Sequence, residues 1–579
     1  MIVTDNNQQS DFKSTPSVLN RWRFAGLSAA DLLPRLQRHL TAQNPTANWQ
    51  LVWLNNNGQP VIGLLPKMSW SVYFNANKPC SVSIENPKNK KSYYKVVEMC
   101  RDKSSIIASY CSYLEWQEEL ITYSKAYEAV ATHSALLDEK NIINQKPSYQ
   151  HGLIGFIGYD MAAHELSPVA DIPQATQPCA VLGHYDIYLS PVKDNTQTSW
   201  QLTTPLSNPL DTAADQAIID ELKNYLQHLD DALNDELIKN SNNIALKNKV
   251  PLAPLMLKAK WQKNDYEQAF AETQDYLQQG DCYQINLTQA WQGYLKESNN
   301  NRAPKLLDYL PSLHANTNAP FAGYLGLNTF VNTNSKPSDL KAGDLKASNP
   351  KKERTQNIDF ELLSCSPELF FTFTTDQTTN TRHIITKPIK GTMPRGESSE
   401  QDNALKQQLI TSDKDRSENV MIVDLLRNDL GRYAKTGSVK VPKLFAIESF
   451  SNVHHMVSTI TAELKEQAHP LAVLFGSLPA GSITGTPKKR AVEIIAELEG
   501  AARGAYCGTM GYMNFDGGGQ WNVLIRTLQA NESPNGTRKV SLWAGGGITI
   551  ASNCASEYQE CLDKVGNLLG VLADENAGK

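Results

Sequence analysis

No run of about 18 uninterrupted apolar residues occurs in this chain, so nothing in it reads as a membrane-spanning helix. Its start, Met1-Ile-Val-Thr-Asp5, lacks the basic and apolar regions of a secretory leader, and a cytoplasmic location is expected. Excess charge is missing too. With 55 basic and 60 acidic residues the formal net charge is −5, which leaves no bulk positive field to gather nucleic acid. Cysteine is sparse: nine in 579 residues, odd in number and scattered from Cys80 to Cys561, which is not a disulfide framework. The absence of Cys-x-x-Cys and His-Glu-x-x-His excludes the two familiar zinc signatures. Gly476-Ser-Leu-Pro-Ala-Gly-Ser482 has serine where a nucleotide-binding glycine loop needs lysine. Long alternation of parallel strands with crossover helices is also lacking, which favours an α+β unit with large antiparallel sheets over a doubly wound fold.

What is present is a globular composition, 41% hydrophobic and 20% charged, on a chain long enough for two domains or one elaborated catalytic unit. The spacing predicts helices over 29–39, 114–137, 214–229, 266–277, 418–426, 487–498 and 556–569. Strands are expected at 49–53, 181–189, 283–290, 324–330, 368–374 and 383–386, and within the glycine-spaced run 151–160. Asp265 is read as the N-cap of the 266–277 helix, and Thr486 with Pro487 as the start of the 487–498 helix. Polar sequence at 76–92 is expected to be an exposed loop. The polar region 190–255 and the segment 331–356 are read as surface insertions or mobile loops.

Four patterns could carry chemistry. Lys390, in Pro388-Ile-Lys-Gly-Thr392, stands beside a glycine in a segment too interrupted for a helix; it is a nucleophile if its amine is kept neutral, and otherwise a surface lysine by a turn. Glu418, Asp424 and Arg427 on one helix, and Glu557, Glu560 and Lys564 on another, offer either oxygen ligands for a hard cation or solvent-facing ion pairs. Gly481–Pro487 ahead of Lys488, Lys489 and Arg490 reads as an anion-binding helix start or a plain cap, and Ala544-Gly-Gly-Gly547 as a donor-rich approach or a tight bend. His454 and His455 lie in a strand, so only one imidazole can enter a given pocket.

In their order these motifs resemble the chorismate-using family that includes anthranilate synthase, aminodeoxychorismate synthase, isochorismate synthase and salicylate synthase. The likeness rests on Gly280-Asp-Cys-Tyr-Gln-Ile-Asn-Leu287, Ser364-Cys-Ser-Pro-Glu-Leu-Phe370, Lys414-Asp-Arg-Ser-Glu-Asn419, Asp424-Leu-Leu-Arg-Asn-Asp429, Gly481–Lys488, Arg503-Gly-Ala-Tyr506 and Ile525-Arg-Thr527. It covers about residues 255–575 and implies two large twisted antiparallel sheets packed face to face with outer helices. Residues 1–254 would form an amino-terminal region interwoven with that catalytic core.

The resemblance also implies a site. Glu418 and Glu560 would coordinate Mg²⁺ with Glu557 close to that shell, and Lys564 would balance Glu560. Tyr506 and Arg526 would hold a substrate carboxylate, with backbone donors from Gly545, Gly546 and Gly547. Glu368 would protonate a departing hydroxyl, Lys390 would attack the ring, Thr392 would support the pocket, and His455 matches the family histidine. Lys390 is similar to the branch that aminates chorismate at C4, a transaminase-class transferase of 4-aminobenzoate and folate biosynthesis. Anthranilate-forming members carry alanine there and are the alternative. No glutaminase nucleophile is evident, so ammonia would come from a separate glutamine amidotransferase subunit in a heterodimer.

Overall fold

The computed structural model describes residues 20–44, 50–75, 93–101, 106–135, 147–168, 170–194, 197–204, 213–239, 252–296, 304–332, 355–376, 378–450, 453–532 and 536–574. The loop expected at 76–92 and most of the segment expected as an insertion at 331–356 lie outside these residues.

Among the described residues, two sheets of twelve strands each, antiparallel at every pairing of neighbours, make the body of the fold. One runs in the order Arg21–Trp22, Gln197–Thr203, Tyr188–Asp194, Val61–Leu64, Leu51–Leu54, Gly323–Asn332, Thr355–Ser364, Thr527–Glu532, Arg538–Ile548, Gln284–Tyr294, Lys258–Ala259, with Gly485–Thr486 added to Gln284–Tyr294. The other runs Ile389–Pro394, Val453–Glu463, Thr381–Lys387, Leu369–Asp376, Gly519–Asn522, Thr509–Asn514, Gly152–Ile157, Ala180–His184, Met68–Asn75, Tyr93–Cys100, Ile106–Cys111, with Lys440–Ser449 beside Val453–Glu463. Each sheet draws strands from both halves of the chain.

Apolar residues on the facing surfaces join the sheets. Val52, Leu54, Leu325 and Phe360 of the first pack with Ile154, Phe156, Val181 and Met510 of the second. Helices cover the outer faces. Ala29–Gln43, Ala213–Lys239, Leu310–Thr317 and Cys554–Ala573 pack on the first sheet, while Tyr113–Ala135, Tyr159–Leu166, Asp413–Gly431 and Pro470–Ser477 pack on the second. This is the expected α+β arrangement of two packed antiparallel sheets with outer helices.

Local expectations need four corrections. The 181–189 run is not one strand: Ala180–His184 belongs to the second sheet and Tyr188–Asp194 to the first. Tyr185 makes the crossing, its ring pressed against Gly63 of one sheet and Gly183 of the other, where a Cβ would lie 2.6 and 2.7 Å from ring carbons. Nor is 190–255 a removable insertion. Its helix Ala213–Lys239 buries Ile219, Leu222, Leu226, Leu229 and Leu233 in the core, a three-and-four spacing masked by the polar residues between them. Gln262, rather than Asp265, caps the Lys263–Gln278 helix, with Asp265 completing a capping box. Finally, Pro487 is itself the cap of Lys488–Glu499, and Thr486 lies in a short strand.

Candidate active site

Lys390 owes its direction to a β-bulge. In the pairing of Ile389–Pro394 with Val453–Glu463, Ile389 faces Val457 and Thr392 faces His455, so three steps on one strand match two on the other. Such an extra residue re-aims the side chains around it. Gly391 allows it with φ +81° and a position where a Cβ would meet the Asp415 carboxyl and Leu409. The Lys390 Nζ then reaches Glu418 Oε2 at 3.0 Å, with the two side chains 16% and 9% exposed. Burial alone would lower its pKa, but Glu418, with Glu560 and Glu557 behind it, outweighs burial and raises it.

Two helices bring the carboxylates. Glu418 is in the second turn of Asp413–Gly431, and Glu557 and Glu560 lie near the start of Cys554–Ala573. Each acid is matched by a lysine: Lys390 on Glu418, Lys414 on Glu557 at 2.8 Å and 4.0 Å from Glu418, and Lys564 on Glu560 at 2.8 Å. Lys564 also donates to the Gly545 carbonyl at 2.8 Å, and against burial it holds Glu560 below its ordinary pKa. Among the described residues, no three His, Cys, Asp or Glu side chains form a ready-made metal cage. The donor set nonetheless fits a hard ion: Glu418 Oε1 is buried without a hydrogen-bond partner, and magnesium characteristically takes one or two carboxylates and fills its shell with water and substrate oxygens.

The glycine run meets both groups. A Cβ on Gly546 would lie 3.2 Å from Glu557 Oε2, 3.8 Å from Lys564 Nζ and 3.9 Å from Glu560 Oε1; one on Gly547 would lie 3.1 Å from Lys390 Nζ. Gln284–Tyr294 pairs with one edge of this strand through Ile548, whereas Thr527–Glu532 follows the other edge only as far as Leu542. Past that point neither of these strands takes the second edge of Gly545, Gly546 and Gly547, so their outward N–H groups can serve as donors. Gln284 completes this corner, its Nε2 2.6 Å from the Cβ position of Gly547 and its buried Oε1 without a partner. Gln284 lies within the Gly280–Leu287 motif, which by itself assigns it no role. Its signal is a polar residue at the start of a buried strand.

A second group surrounds Glu368. Burial pushes this carboxyl up to about 7, opposed by a hydrogen bond from Ser482 and the charge of Lys390. His455 bonds through Nδ1 to Thr392 Oγ1 at 2.8 Å, and burial with Arg526 nearby drives its pKa down to about 4. Arg526 holds a left-handed backbone, φ +52°, a costly conformation for arginine, and feels the charge of Glu368. His454 turns the other way, to Ser449 and Asp402 at 2.8 Å each, so the two histidines divide as strand geometry requires. Tyr506 is buried, with its ring stacked on Trp543 at 6.1 Å beside the buried Arg503–Glu499 ion pair.

Several candidates turn out to be structural. Asp424 and Arg427 form an exposed ion pair with each other. Lys488 is tied to Asp429 and the Ser477 carbonyl, and Arg490 to Asp281, Glu493 and Glu497. Cys507, which follows the Arg503–Tyr506 motif and is not among those candidates, is buried beside Arg503, with its thiol pushed up to about 12, which does not suit a nucleophile.

The fold and the sequence together define a class. Residues 96–570 match the family of chorismate binding enzymes, and the chain belongs to it. It is 40% identical over 323 residues to aminodeoxychorismate synthase component 1 of Salmonella typhimurium, covering 55% of this chain and 61% of that protein. The Escherichia coli protein of the same name is 39% identical, covering 56% and 61%. These matches thus span about three-fifths of each relative's length, as the 61% coverage shows. Anthranilate synthase component 1 of Aquifex aeolicus is 29% identical over 74% of this chain and 75% of that one. In architecture the chain is similar to the crystal structure of anthranilate synthase component I from Streptococcus pneumoniae, with TM-score 0.57, 21% identity, and coverage of 90% and 92%. Among the described residues no helix is long and apolar enough to cross a membrane.

Proposed function

We propose that the chain aminates chorismate at C4, forming 4-amino-4-deoxychorismate from chorismate and ammonia, with the ammonia delivered by a separate glutamine amidotransferase subunit in a heterodimer. Lys390 carries this reading: its amine is buried at a bulge between Glu418 and Gly547, where a nucleophile can face a ring held by the glycine edge. The relatives named for aminodeoxychorismate synthase support it.

In this mechanism Lys390 first loses its ammonium proton to water, and the neutral amine then attacks C2 as the ring double bonds shift and the C4–O bond breaks. Glu368, whose raised pKa keeps a proton available near neutrality, gives that proton to the departing hydroxyl, which leaves as water. Ammonia then bonds to C4, the double bonds shift back, the bond from C2 to the lysine nitrogen breaks, and the surplus ammonium proton passes to the Glu368 carboxylate. One difficult substitution at C4 thus becomes two easier displacements. Glu418, Glu557 and Glu560 would hold Mg²⁺, which when bound orients a substrate carboxylate and takes over the negative charge that now keeps Lys390 protonated. Arg526 and Tyr506 hold the enolpyruvyl carboxylate; the arginine fork can meet both of its oxygens. Neutral His455, fixed by Thr392, faces the same pocket.

The test is a product assay with purified protein, chorismate, Mg²⁺ and an ammonium salt, separated by chromatography and mass. A product that retains the enolpyruvyl group is expected. Anthranilate with pyruvate would replace this reading by amination at C2, the second reading, which the Aquifex relative favours. Unconsumed chorismate in a folded sample would remove both.

A further inference from the structure

We propose that Lys414 is a built-in competitor of the divalent cation, its ammonium giving way when an ion takes Glu418 and Glu557. This rests on the reading above that these carboxylates hold Mg²⁺. Lys414 lies in the first turn of the Asp413–Gly431 helix, four residues before Glu418, so both side chains leave the same face. Its Nζ stands 2.8 Å from Glu557 Oε1 and 4.0 Å from Glu418 Oε1. The second of these oxygens is buried and has no hydrogen-bond partner. The Glu557 side chain is 2% exposed and its Oε1 accepts one further bond, from Ser552 at 2.8 Å. Without a cation at this point, Glu557 would be a buried carboxylate with no ion-pair partner facing the free oxygen of Glu418, whose other oxygen is held by Lys390, a costly arrangement.

A magnesium ion binds carboxylate oxygens at about 2.0–2.1 Å. Placed on these two oxygens, it would meet the Lys414 ammonium at contact distance, and the repulsion between them admits one or the other. Of the three lysines in the cluster, Lys414 is the one able to leave. Its side chain is 46% exposed, against 16% for Lys390, while Lys564 is also held by the Gly545 carbonyl. Lys414 therefore keeps the acids compensated and sets the concentration at which a divalent ion displaces it.

Lysine acetylation of the full-length protein, followed by peptide mass spectrometry across a Mg²⁺ titration, reads this exchange without reference to turnover. Labelling of Lys414 should rise several-fold with Mg²⁺, but not with K⁺ at equal ionic strength, while Lys564 changes little. By electron paramagnetic resonance, Lys414→Gln should bind Mn²⁺ about tenfold or more tighter than the parent, since a unit charge some 4 Å away has been removed. Loss of Mn²⁺ binding in Glu418→Gln and Glu557→Gln, with Lys414 labelling flat and Lys414→Gln unchanged, would keep the cation site and overturn the competition. Mn²⁺ binding that ignores both glutamate substitutions would overturn the cation site and the competition with it.

Discussion

Lys390 and Glu418 meet at 3.0 Å across the space between a terminal strand and a helix of the second sheet, and neither is fully accessible to water. The pair makes the lysine's role separable from its charge. Lys390→Ala should cut aminodeoxychorismate formation by more than about 10³-fold, the scale seen when a covalent participant is lost. Lys390→Arg keeps the cation beside Glu418 but supplies no practical nucleophile, so it should be equally inactive. An active arginine variant would turn the lysine into an electrostatic group, and wild-type rates in both would end the covalent scheme.

The carboxylates give a prediction of a different kind. Glu418→Gln and Glu560→Gln preserve shape and an oxygen while losing charge, so each should weaken Mg²⁺ dependence by at least about 10–100-fold with unchanged circular dichroism. Lys564→Ala should also weaken it, because Lys564 orients Glu560. Kinetics with unaltered Mg²⁺ response in both glutamine variants would dismiss these ligands.

Glu368 and His455 shift in opposite directions, which shapes the pH profile. Glu368 acts as an acid only while protonated, and burial puts its pKa near 7. With Mg²⁺ saturating, so that Lys390 is no longer held protonated by Glu418, turnover at constant free ammonia should therefore fall above about pH 7, approaching tenfold per unit. His455, driven down to about 4, stays neutral over that range and adds no limb. Ser482 supplies a bond that favours the ionised form, so Ser482→Ala should move the limb to higher pH. A profile flat to about pH 9 would remove Glu368 as the acid.

The sequence carried the two-sheet fold through its motifs, and it carried the meeting of Lys390, Glu418, Glu557, Glu560 and Lys564. What escaped were features that depend on the far side of a contact. The bulge at Lys390-Gly391 needs the register against His455 and Val457, the Tyr185 crossing needs two glycines 120 residues apart in sequence, and the place of the Gln284 amide needs Gly547 beside it. The Lys414–Glu557 pair joins two helices with its members 143 positions apart, so local spacing could show each residue but not the ion pair.

The misread 190–255 region yields the last prediction, one of stability. Within its helix, Leu226 is fully buried against the Ala29–Gln43 side of the first sheet, and its neighbours Leu222 and Leu229 continue the same stripe. The polar face of that helix is tied down as well: Gln227 accepts from the Trp22 indole at 3.0 Å, and Asp230 from the Phe24 backbone N–H at 2.5 Å. A removable surface insertion would tolerate Leu226→Ala with no measurable change. A core helix would not, and truncating a buried leucine costs about 2–5 kcal/mol through lost burial and the cavity left behind. Urea denaturation of Leu226→Ala, beside an exposed control on the same helix such as Glu221→Ala, should show the first midpoint clearly lowered and the second unchanged. Equal midpoints for both variants and the parent would return this region to the surface.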